Sequence, residues 1–186
     1  ECYFKRADNG FYTILACGNT CSASGSFDVY TRDGGITFWI NGTNVLSTST
    51  TDYGLNEWCH VAIVRSSGSC VLYMDGTAIG SPHTYTGNIG NGNTFYIGHE
   101  DCNGTSYGHM KGLISNVRVT KGQALYTSNF TPSKSLLTLT SQSATSSNVK
   151  LLCCTGSTPT SATKTPGTIT AHGNPVVQRV SPHDQY

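Results

Sequence analysis

Tyr85, Asn88, Asn91, Asn93, Asp101, Asn103 and Tyr107 fall on two stretches that flank the apolar run 94–98, and they are the side-chain types a sugar site uses. An aromatic ring offers a flat face to the C–H groups of a sugar, and Asn or Asp side chains take its hydroxyls. If the run between them is a strand, the two stretches converge on one rim. The same tyrosines would serve equally to cover the edge of a sheet, and the pattern alone leaves both readings open.

Catalytic chemistry finds less support. Glycoside hydrolysis needs two carboxylates flanking the bond. The ten acidic residues are scattered, and Glu100 and Asp101, as neighbours on an extended chain, point apart. His99 with Cys102, and His60 with Cys59, lack the paired spacing of a zinc site. There is no Gly-x-Ser-x-Gly, and Gly90-Asn91-Gly92 reads as a turn and not as a phosphate cradle. The chain therefore reads as a non-enzyme. A net charge of +1 without a basic run argues against nucleic acid as a partner. No apolar run approaches the ~20 residues of a membrane helix.

The eight cysteines are placed more like buried apolar residues than like a disulfide scaffold. Cys59 and Cys70 flank a hairpin turning at Ser67-Gly68; with Arg65 opposite Cys70, Cys59 lies about 20 Å away along the strand, too far to bond. Cys153 and Cys154 point to opposite faces if both are in a strand. Cys17 and Cys21 remain the one candidate disulfide, closing a small loop.

The elements that must position these residues are short strands. Runs at 2–4, 12–16, 26–31, 36–40, 45–48, 57–65, 71–75, 94–98 and 149–154 recur about every ten residues. Asn9-Gly10, Asp33-Gly34, Asn41-Gly42 and Asp75-Gly76 lie between them, and such pairs tolerate the positive φ of tight hairpins. No amphipathic helix of any length is visible. This is the pattern of an antiparallel sandwich.

Residues 112–132 read GLISNVRVTKGQALYTSNFTP. Leu113, Ser115, Val117 and Val119 alternate with Ile114, Asn116 and Arg118, as in a two-faced strand, with Asn116 and Arg118 opposite the core. Ala124, Leu125, Tyr126 and Phe130 are spaced like a short helical turn folded back onto the sheet, ended at Thr131-Pro132. The segment resembles the closing strand and following turn of laminin-G-like (concanavalin A-like lectin/glucanase) domains found in tail-fibre and other virion proteins of marine bacteriophages. The order Trp58-x-His60-Val61-Ala62, Leu72-Tyr73-x-Asp75-Gly76 and Tyr96-Ile97-Gly98 follows the same pattern.

The resemblance implies an all-β fold, two antiparallel sheets in a jelly-roll sandwich over residues 1–154, with a Thr/Ser/Pro-rich extension at 155–186 that supplies an edge strand near 168–174 or leads to a further repeat. It implies a virion-surface, extracellular module of a homo-oligomer, contacting other virion subunits and a host-surface glycan. The alternatives are a purely structural virion protein and a carbohydrate-binding module of a secreted bacterial protein. It also implies Ca2+ at a rim loop, where Glu100 and Asp101, with Asp52 or Asp75 nearby, offer hard oxygen ligands, though solvated acids without any cofactor fit the same residues. The opening strand of such domains is absent here, so the 2–4 or the 149–154 edge is expected to pair with the tail or with another chain.

Overall fold

A computed structural model of the chain describes residues 1–21, 24–48, 53–90 and 94–183. The strands are β1 (Cys2–Arg6), β2 (Tyr12–Cys17), β3 (Phe27–Arg32), β4 (Gly35–Ile40), β5 (Thr43–Ser47), β6 (Cys59–Ser66), β7 (Ser69–Met74), β8 (Thr77–Thr84), β9 (Phe95–Ile97), β10 (Glu100–Cys102), β11 (Thr105–Tyr107), β12 (Gly112–Ser115), β13 (Val117–Thr120), β14 (Val149–Cys153) and β15 (Ala162–Lys164). They form one five-stranded sheet in the order β12-β1-β6-β7-β8 and a second in the order β5-β4-β3-β2-β9. A three-stranded sheet, β13-β14-β15, and the β10-β11 ribbon complete the fold. Every pairing within these sheets is antiparallel. The all-β sandwich is as expected.

The turn signals act through backbone conformation. Asp33-Gly34, Asn41-Gly42, Ser67-Gly68, Asp75-Gly76 and Asn103-Gly104 all have positive φ at both residues, the conformation that matches the twist of a two-residue hairpin. The β6–β7 hairpin pairs Arg65 with Cys70, as its turn predicts, and both Cys59 and Cys70 are free thiols. Asn9-Gly10 differs: it connects strands of different sheets and makes no hairpin.

The main core lies between the two large sheets. Phe4, Val61, Leu72 and Met74 face Ile14, Val29, Ile36, Phe38 and Ile40. A bulge between Thr13 and Leu15 lets consecutive Ile14 and Leu15 both enter this core. On the outer face of the first sheet, Ala62 and Tyr73 are covered by Tyr126, with Leu125 and Phe130 against them. The expected helical turn at 124–130 is not formed; the segment is irregular and held by Phe130 N–H donating to Gly76 O at 2.9 Å. Its apolar side chains nevertheless pack onto the sheet, and the Tyr126 and Phe130 rings stack 3.5 Å apart. Gly76 has no room for a side chain there, since a Cβ would sit 1.9 Å from Phe130 O.

Three further expectations need correction. The run 113–119 is two strands, because Asn116 adopts φ 55° and passes the chain from the first sheet to the three-stranded one. Cys154 leaves β14 at φ 58°, which breaks the alternation and brings its Sγ to 3.7 Å from Cys153 Sγ. The tail contributes β15, pairing Lys164 with Leu152, whereas 168–174 form no strand. The 149–154 edge is thus paired with the tail, and β1 is interior, between β12 and β6.

One buried ion pair ties these layers together. Arg118 Nε donates to Glu1 Oε1 at 2.8 Å, and its Nη1 donates to Thr138 O and Ser141 O. Glu1 Oε2 accepts from the Tyr126 hydroxyl at 2.8 Å and lies 3.0 Å from His60 Nε2. Burial would raise the Glu1 carboxyl, but the His60 hydrogen bond, the adjacent amino group and the Arg118 guanidinium together hold it at about 2, below its ordinary 4.5.

Arg118→Met would strand a buried carboxylate and is expected to cost about 3–5 kcal/mol in urea unfolding at neutral pH. Because the folded-state value is depressed, the stabilisation from Glu1 is complete above about pH 4.5 and is lost as pH falls toward 2. The wild-type midpoint should fall across that window, and that of Arg118→Met should fall less.

Candidate functional site

The two large sheets differ on their outer faces. The strand alternation that sends Val29, Ile36, Phe38 and Ile40 inward sends Asp28, Tyr30, Thr37 and Trp39 outward from the second sheet. There Asp28, Tyr30 and Trp39 floor a cleft of about 280 Å3, with Phe11, Thr20, Cys21, Ser26, Phe27, Asn41, Gly42 and Glu100 as its remaining lining. Phe11 and Tyr30 pack ring against ring at 4.8 Å.

The β10–β11 ribbon brings Glu100 to this cleft. Thr20 N–H donates to Asp101 O at 2.9 Å, and the Thr20 hydroxyl donates to Glu100 Oε2. Cys21 is disulfide-bonded to Cys102, 81 residues away. This overturns the Cys17–Cys21 pairing. Cys17 is committed to the β2 ladder, opposite Phe27 and Phe95, and stays a buried free thiol. The Thr20–Asp101 bond instead sets Cys21 beside Cys102.

Asp28 is only 3% exposed, and its Oδ1 has no hydrogen-bond partner. Burial, and then the negative charge of Glu100 within hydrogen-bond reach, push its carboxyl well above the ordinary range. The indole N–H of Trp39 is likewise buried and unpartnered. Buried polar groups without partners cost stability, so their gathering at one opening is informative.

The residues expected to form a sugar rim are divided. Asp101, Asn103 and Tyr107 share the β10–β11 ribbon, but two of them hold its turn. Asp101 Oδ1 accepts Gly104 N–H at 2.9 Å, and Asn103 exchanges hydrogen bonds with Asn19. Tyr107 is 48% exposed. Tyr85 is half-buried against the core on the connection after β8, where its N–H donates to Gly68 O. The Asn88 carbonyl packs over Gly25. Asn91, Asn93 and Asp52 lie outside the described residues.

As a calcium pair, Glu100 and Asp101 diverge: Glu100 turns to Thr20 and Asp28, Asp101 to Gly104. Asp75 is engaged elsewhere, accepting from His60 N–H and the Cys59 thiol. Among the described residues no three His, Cys, Asp or Glu side chains gather as a metal site, and no helix is long and apolar enough to cross a membrane.

Sequence reasoning missed Asp28, Tyr30, Trp39 and Phe11. The available signal was the alternation in FDVYTR and GITFWI, which places an acid and two aromatics on the face away from the core.

With this geometry in view, the comparisons agree on the fold. The chain belongs to the concanavalin A-like lectin/glucanases superfamily, whose laminin-G-type model matches residues 2–126. Among solved structures it is similar to the mouse laminin alpha1 chain, domains LG4-5, at 17% identity and a TM-score of 0.50, over 63% of this chain and 33% of that one. That likeness is one of fold, and this chain spans about a third of the length of the laminin structure. Comparison with curated proteins returns no match.

Asp28→Asn should raise the thermal midpoint at neutral pH, because it removes a carboxyl whose ionisation the fold opposes. A carboxyl whose folded value is raised destabilises as pH climbs through that value, so the gain should shrink toward zero near the ordinary carboxylate value of 3.8. Calorimetric scans of both proteins from pH 4 to 8 would check it.

Proposed function

We propose that the protein is a non-enzymatic surface module that attaches a virion, through a tail fibre or similar appendage, to host-surface glycans. The observation that carries the reading is the cleft on the second sheet, where Trp39, Tyr30 and Phe11 surround Asp28 and Glu100. Aromatic faces beside buried hydrogen-bonding groups with unmet capacity are what a sugar ring requires. Membership of a lectin and glucanase superfamily supports a carbohydrate ligand, and the likeness of residues 112–132 to virion modules supports the viral setting. The two carboxyls are within hydrogen-bond reach of each other, closer than the roughly 5 Å at which a glycosidase pair flanks its bond, which favours binding over hydrolysis.

A second reading has one observation in its favour. Val176 and Val180 on the tail are 70% and 53% exposed. In a homo-oligomer this apolar stretch of the 155–186 extension would dock against a neighbouring subunit, and the role would be structural.

A glycan array probed with the intact chain should give a defined set of positive glycans, and Trp39→Ala should weaken them at least about tenfold. A blank array for the intact chain would sink the adhesion reading. In sedimentation, an oligomer that dissociates when Val176 and Val180 become Ser would support the structural one.

A further inference from the structure

We infer that the cleft on the second sheet takes a sugar bearing a free ammonium group, an amino sugar, with the ammonium seated on Asp28 and Glu100 and the ring on Trp39. The inference rests on the glycan reading and names the class of sugar. Its basis is the charge of the lining. Among the described residues, the cleft is lined by two carboxyls and no Lys, Arg or His. Asp28 is buried with Oδ1 unpartnered, while Glu100 beside it already accepts the Thr20 hydroxyl. A neutral hydroxyl would satisfy the open acceptor but would leave the negative charge of the carboxyl pair uncompensated. A cation relieves both, and an ammonium has three N–H donors to divide between them.

The walls decide between kinds of cation. A calcium ion is held by several carboxylates among six to eight oxygen ligands, whereas only two carboxyls line the cleft and no cluster of three metal-binding side chains is present among the described residues. Phe11, Tyr30 and Trp39 instead present aromatic surface, which attracts an organic cation through the ring quadrupole and packs against a sugar face. The cleft, at about 280 Å3, lies at the small end of the range for ligand sites and suits a single ring.

The test uses the intact chain and follows the indole N–H resonances, with Trp58, which does not line the cleft, as internal reference. Glucosamine hydrochloride, N-acetylglucosamine, glucose and tetramethylammonium chloride are titrated separately at pH 6. The expected result is that glucosamine shifts the Trp39 signal with at least tenfold higher affinity than the other three, about 1.4 kcal/mol. Asp28→Asn should abolish that preference. If N-acetylglucosamine or glucose binds as tightly, the inference is overturned while the glycan reading stands. If tetramethylammonium binds as tightly, the sugar part of the assignment fails. If none of the four shifts Trp39, the inference is overturned, and the array result alone bears on the glycan reading. Should Asp28→Asn not fold, the wild-type ranking of the four compounds decides.

Discussion

The constraint on which the structure most depends is the burial of Arg118. A guanidinium removed from water must be met on every side by acceptors, because an unpaired buried charge costs several kcal/mol. Here the acceptors come from two distant places: the Glu1 carboxylate, and Thr138 O with Ser141 O on one segment. Main-chain bonds between Glu1 and Arg118 add to the join, with Arg118 N–H donating to Glu1 O at 2.9 Å. Satisfying one side chain therefore requires that β1 lie beside β13 and that the 137–144 segment close over them. His60 and Tyr126 bind the same carboxylate from β6 and from the aromatic cover. Arg6 does similar work at the other end of β1, donating to Tyr53 O and Asp8 O.

That arrangement makes the sandwich asymmetric. Tyr126 is drawn onto the first sheet by Glu1, and Phe130 follows because Gly76 permits its backbone to approach. The outer face of the first sheet is consequently filled with apolar groups. Among the described residues, the second sheet has no such apolar cover on this face, and Asp28, Tyr30 and Trp39 line an opening there. The candidate cleft lies on that second sheet.

How much of this was legible depends on the range of the interaction. The hairpins were readable because each X-Gly pair dictates its own φ values, and the Arg65–Cys70 register follows from the turn alone. Where the chain crosses between sheets, the local pattern misleads. Asn116 looks like one more alternating strand residue, yet its positive φ is stabilised by contacts far along the chain, its Oδ1 accepting Leu137 N–H and its N–H donating to Cys154 O. The Cys21–Cys102 bond is equally non-local, since nothing near Cys21 announces the Thr20–Asp101 bond that aligns it. The acids were expected to matter as sequence neighbours, Glu100 with Asp101. The fold instead sets Glu100, on the β10–β11 ribbon, against Asp28 on β3, and alternation in β3 and β4 was the local trace of that face.

The same non-local bond explains how a strained acid pair persists. Two carboxyls held together out of water repel, and the ribbon carrying Glu100 would swing away if only its short strands held it. The disulfide at Cys102 and the Thr20 hydrogen bonds fasten that ribbon at its base, one residue from Asp101 and two from Glu100. A cross-link over 81 residues removes a large share of the unfolded chain's freedom, worth about 2–4 kcal/mol in typical cases, and so helps to offset the cost of holding the two carboxyls together. The fold thus places its covalent tie next to its least favourable electrostatic contact. For the amino sugar proposed above, an unfavourable contact held that firmly beside aromatic rings would be preorganised, since the ligand's ammonium would relieve it.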